Sequence, residues 1–135
     1  GRAARVIVVD ASVPVHALTN KEELGKKAKE RMAGQRLYAP DVVSLEVTHT
    51  LRNLVLGKKI VLGDAELARQ TFGALLLERV PHWPYMGRIW ELRDNYSVYD
   101  AAYISLAESL GATLVTSDAR LSRGRGARCE IDLVV

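Results

Sequence analysis

An α/β fold, with a mostly parallel central sheet covered on both faces by helices, is the architecture this sequence predicts, and three observations predict it. Arg5-Val6-Ile7-Val8-Val9-Asp10 and Ala112-Thr113-Leu114-Val115-Thr116-Ser117-Asp118 are short, β-branched runs without polar alternation, the pattern of strands buried on both faces. Between them the apolar spacing is helical. The 135 residues, 48% hydrophobic and 26% charged, have the balance of one ordinary globular domain.

In chain order, the first strand covers 5–10, and His16 falls in or after a first helix. Glu22 to Met32 is a charged, solvent-facing helix, and Leu37-Tyr38-Ala39-Pro40 is a second strand. Asp41 to Leu56 places Val43, Val47, Leu51, Leu54 and Val55 at helical spacing, with Asp41, just after Pro40, as the N-cap. Helices over Asp64–Leu77 and Pro84–Arg93 follow, with Arg79-Val80-Pro81 a short strand between them. Val98–Leu110 is the last long helix, and Arg128–Val134 alternates enough to form a final, edge strand. Gly34-Gln35, Gly57-Lys58-Lys59, Gly63-Asp64 and Gly111 punctuate these units, and none is long enough to be a linker. A single domain over 1–135 is expected, with residues 1–4 a non-structured terminus.

No run approaches the ~20 apolar residues of a membrane-spanning helix, and Gly1–Arg5 leads straight into a strand rather than a signal peptide. A cytoplasmic protein without a membrane span is expected, its natural N-terminus trimmed or replaced. The one cysteine, Cys129, forms no internal disulfide and reads as a small buried residue. The formal charge is +3, from 19 Lys and Arg against 16 Asp and Glu. Were four of those acids gathered in one site, the remaining twelve would leave a surplus of seven positive charges elsewhere, a surface suited to polyanions.

Four acids stand out. Asp10 and Asp118 follow strands, at the end of a parallel sheet where ligand crevices open; singly, each is equally an N-cap or an Asx turn. Asp100 sits three residues after Ser97, the spacing of a capping box, yet it shares a helical stripe with Tyr103, Ile104 and Ala107, and a carboxylate over an apolar face needs a partner. Glu46, beside the Val43, Val47 and Leu51 stripe, is by itself an ordinary surface acid. Spacing does not bring the four together.

A resemblance does. Val8-Val9-Asp10-Ala11-Ser12, Pro40-Asp41-Val42-Val43-Ser44-Leu45-Glu46-Val47, Tyr99-Asp100-Ala101-Ala102-Tyr103-Ile104-Ser105-Leu106-Ala107 and Leu114-Val115-Thr116-Ser117-Asp118-Ala119-Arg120-Leu121 resemble, in order and over nearly the whole chain, the successive motifs of the PIN-domain family, specifically the VapC-type toxin ribonucleases. The resemblance implies a PIN-like three-layer sandwich and an acidic pocket of Asp10, Glu46, Asp100 and Asp118 holding one or two Mg²⁺ or Mn²⁺ ions. Ser12, and one of Thr116 or Ser117, match small hydroxyl positions near that pocket, as backbone caps or as contacts to water or phosphate. It also implies a homodimer and a VapB-type antitoxin bound in an apolar groove between early helices. The intervening helices match loosely, so the substrate surface does not carry over.

Chemistry is consistent with such a site. Two carboxylates about 4 Å apart repel by roughly 4 kcal/mol at an effective dielectric near 20, so a cluster of acids binds protons or cations. All-oxygen donors favour Mg²⁺ or Mn²⁺ over zinc. Such an ion activates water for in-line attack on a phosphodiester, and products with 5′-phosphate and 3′-hydroxyl ends are expected. His16, His49 and His82 form no evident acid–base pair for a metal-free ribonuclease; His49 lies one turn from Glu46, within reach of it. Single-stranded or looped RNA is the expected substrate. Arg120, Arg123, Arg125 and Arg128 crowd one segment beside Asp118, and Lys26, Lys27, Lys29 and Arg31 line a helix; either cluster is a solvated face or a phosphate contact. Arg52 resembles a position facing pocket or antitoxin. In the aromatic-rich stretch from Trp83 to Trp90, Trp90 is placed in the core by its spacing from Met86.

Other functions are weighed against this one. An aspartyl phosphatase would use Asp10, but residue 12 is serine where such enzymes have a second aspartate. The length leaves no room for the added DNA-binding helices of a structure-specific DNA nuclease. A noncatalytic nucleic-acid or protein-binding domain whose acids are caps, and a PIN-type RNA-processing nuclease that is not a toxin, remain as alternatives.

Overall fold

The computed structural model describes residues 4–135. Of the expected non-structured terminus, residues 1–3 lie outside the described residues, and Ala4 is exposed without regular structure. Five strands form one all-parallel sheet: β1 (Val6–Val9), β2 (Arg36–Pro40), β3 (Leu77–Val80), β4 (Thr113–Thr116) and β5 (Ile131–Leu133), in the order β3-β2-β1-β4-β5. Central β1 registers Val8 against Tyr38 on one side and Leu114 on the other. Among the described residues seven helices flank it: α1 (Ser12–Thr19), α2 (Glu23–Met32), α3 (Val43–Leu56), α4 (Leu62–Ala74), α5 (Met86–Glu91), α6 (Val98–Leu110) and α7 (Ala119–Arg123). The α/β architecture with a parallel sheet between helices is the one expected.

The core follows from the apolar runs. Val8, Val9 and Leu114 are sealed from solvent, as are Val13 of α1 and Val43 and Val47 of α3. Each such side chain contributes about 1.5–3 kcal/mol by leaving water. Ala101 through Ala107 of α6 are all buried, so the middle of this helix is covered all round rather than amphipathic. Gly111 ends it in the left-handed conformation, φ 60°, which a glycine adopts without strain.

Gly25 sits where α2 crosses the end of α1. A Cβ there would lie 1.8 Å from the backbone oxygen of Asn20, an atom with nowhere to go. Gly25→Ala is expected to lower stability by about 3 kcal/mol, the upper range of over-packing, seen as a lower urea midpoint. An unchanged midpoint would mean that the two helices are not in such close contact.

Several elements differ from expectation. α4 stops at Ala74 rather than running to Leu77, because Leu77 pairs with Leu37 and opens β3; sheet pairing overrides helical spacing. The expected helix over Pro84–Arg93 is a 3₁₀ turn over Trp83–Tyr85 followed by the short α5. Trp90 is not in the core: it is 64% exposed, with Ile89 and Leu92 buried instead. Its ring packs under the Arg93 guanidinium, 4.6 Å from the centroid. Asp41 does not cap α3 with its side chain; it is exposed, and its N–H donates to the Val80 carbonyl at 2.9 Å, prolonging the β2–β3 ladder. The last strand is shorter than 128–134, because the Arg128 N–H donates to the Glu108 carboxylate at 2.7 Å, outside the sheet. Cys129 is half-buried, and burial pushes its thiol up to about 11, which keeps it an unreactive thiol.

Candidate active site

The sheet order has one reversal. From β1 the chain steps outward to β2 and β3, then returns to pair β4 on the other side of β1. A crevice opens beyond the carboxyl ends of strands at such a switch point. Asp10 follows β1 directly, Asp118 lies two residues beyond β4, α3 delivers Glu46 and the first turn of α6 delivers Asp100. All four line one cavity of about 460 Å³, together with Ser12 and Arg120.

Asp10 is the most enclosed, at 7% exposure. Its carboxylate accepts hydrogen bonds from the Ser12 N–H at 3.1 Å, the Ser12 hydroxyl at 2.5 Å and the Thr116 hydroxyl at 2.5 Å. Those hydroxyls are themselves acceptors: Ser12 Oγ from the Ser117 N–H at 2.9 Å, and Thr116 Oγ1 from the Asp118 N–H at 3.0 Å. Two short relays therefore brace the ends of β1 and β4 around one carboxylate. Burial pushes Asp10 up to about 6; the hydroxyl bonds pull against this, and the Asp100 charge adds to it.

Glu46 is half-buried and accepts the Tyr103 hydroxyl at 2.5 Å. Burial raises its carboxyl above the usual range, and the Asp100 charge adds to the rise. Tyr103, buried against this group of acids, is in turn held far above an ordinary phenol, first by desolvation and then by the Glu46 charge. Asp100 is raised by burial and by Asp118. Its N–H donates to Ser97 Oγ at 3.1 Å, so the capping reading of the Ser97 spacing holds while the carboxylate still lines the cavity. Asp118 alone is held below the carboxylate range, by Arg120: the guanidinium donates from Nη2 to Oδ2 at 2.5 Å and from Nε to Oδ1 at 3.1 Å. It also caps α7, accepting the Arg120 N–H at 3.0 Å.

Among the described residues, Asp10, Glu46 and Asp100 have no ion pair with a basic side chain. The donor set is thus three raised carboxylates and a fourth covered by an exposed arginine, all hard oxygens, which suits a divalent cation. As they stand, no three acidic side chains among the described residues close into a chelating group.

The remaining expectations divide. Ser12 and Thr116 enter the relays directly, whereas Ser117 takes part through its N–H and leaves its hydroxyl buried without a partner among the described residues. His49 is exposed, with Nε2 3.3 Å from the Asn53 amide, and does not line the cavity. Arg52 borders a different depression, between α3 and α4. Sequence reasoning missed His16, Asn20 and Lys59, which also line the cavity, and the bond that Tyr103 makes to Glu46. Tyr103 was findable in part: it shares the stripe of Asp100, one turn on.

Comparisons with known proteins bear on the family and the fold. The family model described as "PIN domain" matches residues 7–126. Ribonuclease VapC9 of Mycobacterium tuberculosis is 40% identical over 129 residues, covering 96% of this chain and 98% of the relative. Among solved structures, Mycobacterium tuberculosis VapC20, described as a sarcin–ricin loop cleaving toxin, superposes with a TM-score of 0.67 at 17% identity, over 87% of this chain and 93% of that one. A DNA-bound VapBC from Salmonella typhimurium superposes with a TM-score of 0.67 at 14% identity, over 98% and 99%.

Proposed function

Because the chain belongs to the PIN domain family, we propose that it is a divalent-metal-dependent endoribonuclease and the toxin of a type II toxin–antitoxin pair. The observation that carries this reading is the gathering of Asp10, Glu46, Asp100 and Asp118, from four separate elements, around one cavity at the sheet's switch point. These four would hold Mg²⁺ or Mn²⁺, and a bound ion would supply Lewis acidity and an activated water for phosphodiester hydrolysis.

The chain's own residues do the rest. Ser12 and Thr116 fix both oxygens of Asp10, so that the carboxylate is already oriented when ionised. Tyr103 pins one oxygen of Glu46, a residue that lines the cavity, and the other has no hydrogen-bond donor among the described residues. Arg120 and Lys59 put two cations on the wall of an otherwise acidic cavity, the countercharge that an RNA phosphate needs. Arg120 completes the substrate side of this assignment, while Ser117, its hydroxyl buried, acts only through the N–H that it gives to Ser12.

We assign the antitoxin to the apolar depression of about 260 Å³ between α3 and α4, where Leu51, Val55, Leu56 and Leu62 meet. The similar VapBC assembly supports a partner of this kind. The homodimer, a cytoplasmic location and a single domain over the full 135 residues belong to the same proposal. No helix among the described residues is long and apolar enough to cross a membrane.

One feature favours a second reading: Asp118 caps α7, as a noncatalytic domain would have it. A direct experiment separates the two. Purified protein is incubated with single-stranded RNA in Mg²⁺ or Mn²⁺ and in EDTA. Cleavage that stops in EDTA and returns with metal is expected; RNA binding without cleavage in either condition would support the binding domain.

A further inference from the structure

The tyrosine that precedes Asp100 takes no part in the chemistry assigned above, yet it stands beside it. Tyr99 is 60% exposed and makes no side-chain hydrogen bond among the described residues. It borders a second cavity, of about 360 Å³, whose other walls include Asn95, Ser97, Glu46, Asp100 and Arg120. Glu46, Asp100 and Arg120 line the main cavity too. The two cavities therefore meet at the acids, one on each side. A chain whose phosphate lies over those acids brings a neighbouring nucleotide within reach of the second.

The size and chemistry of that second cavity match one nucleoside. Its volume is at the small end of ligand pockets, and it is not large enough for a folded strand. Unpaired RNA bases are recognised by stacking on exposed aromatic rings and by hydrogen bonds to their edges. Tyr99 offers a free ring face. Asn95 offers a carboxamide, both donor and acceptor, with no side-chain partner among the described residues. Neither residue is on a loose segment: the Asn95 N–H donates to Leu92 at 3.1 Å, and Tyr99 lies in the first turn of α6, which Ser97 caps. Arg88, bonded to Glu108 through Nε at 2.8 Å and Nη2 at 3.0 Å, ties α5 to α6 on either side of this turn. Such a fixed backbone leaves only the two side chains to be ordered on binding.

We infer that Asn95 and Tyr99 form a base-reading subsite, which takes the unpaired RNA base next to the cleaved phosphodiester, Tyr99 stacking on it and Asn95 selecting it by hydrogen bonds. The inference rests on the ribonuclease reading above. Both side chains are exposed, so their substitution leaves the fold within the small range of surface changes, to be verified by thermal melts.

The test uses the full chain, Mn²⁺ and a random-sequence single-stranded RNA library, with the ends of the products sequenced. The intact protein is expected to prefer certain bases at a position beside the cut. Asn95→Ala should flatten that position alone. On the best-cleaved oligonucleotide, Tyr99→Ala should raise KM about tenfold, the scale of one lost stacking partner, with kcat changed far less; Tyr99→Phe and Tyr99→Trp should restore KM. A preserved base profile in Asn95→Ala together with an unchanged KM in Tyr99→Ala would overturn the subsite while leaving the nuclease standing. No cleavage by the intact protein would overturn the nuclease reading, and the subsite with it.

Discussion

Asp10→Asn is expected to abolish RNA cleavage and, without metal, to leave a protein more stable than the parent. The loss of activity should be about a thousandfold or more, the scale of removing a principal electrostatic group from an active site. The gain in stability follows from burial. The Asp10 carboxyl titrates near 6 in the fold against 3.8 for a free group. Below pH 3.8 it is protonated in both folded and unfolded chains. Between that value and about 6 the folded chain keeps a proton that the unfolded chain has lost, so stability falls as pH rises. Above pH 6 the full penalty stands, about 3 kcal/mol. Asparagine removes the charge and forfeits about 1 kcal/mol of hydrogen bonding to Ser12 and Thr116. The net gain is about 1–2 kcal/mol, to be read by urea melts at pH 7.5 in EDTA. A less stable variant would mean that the acid is there for the fold, as a cap.

Cleavage by the intact protein should fall steeply as pH drops below about 6. Burial raises Asp10, Glu46 and Asp100 together, and each must be ionised to hold a cation. The sign is thus opposite to that for stability: activity rises with pH through the range in which the metal-free fold weakens. Protons and metal compete for the same oxygens, so raising Mn²⁺ should move the acid limb to lower pH. Initial rates from pH 4.5 to 8 at two Mn²⁺ concentrations check this. A limb that ignores metal concentration would place the titrating group elsewhere.

Much of the scaffold was legible because it is local. β1 and β4 announce themselves as unbroken β-branched runs, and α6 by its Ser97 start and Gly111 stop. The site was less legible because it is not local. Asp10 and Thr116 are 106 residues apart, and only the pairing of β1 with β4 brings them to one hydrogen bond. Glu46 carries no local mark at all; its place comes from α3 and from Tyr103. Sequence periodicity also fails in short helices. Over the six residues of α5 it cannot choose between Ile89 and Trp90, and the larger apolar residue is the one left outside. The five residues of α7 are too few to show a period, though Asp118 is its cap.

Titrating Mn²⁺ into the protein by isothermal calorimetry at pH 7.5 tests the shared cation site without any assumption about RNA. Saturable heat is expected for the intact chain, lost or strongly weakened in Asp10→Asn and equally in Asp118→Asn, although these residues lie on different elements. No heat from the intact chain, or binding indifferent to both substitutions, would contradict the account.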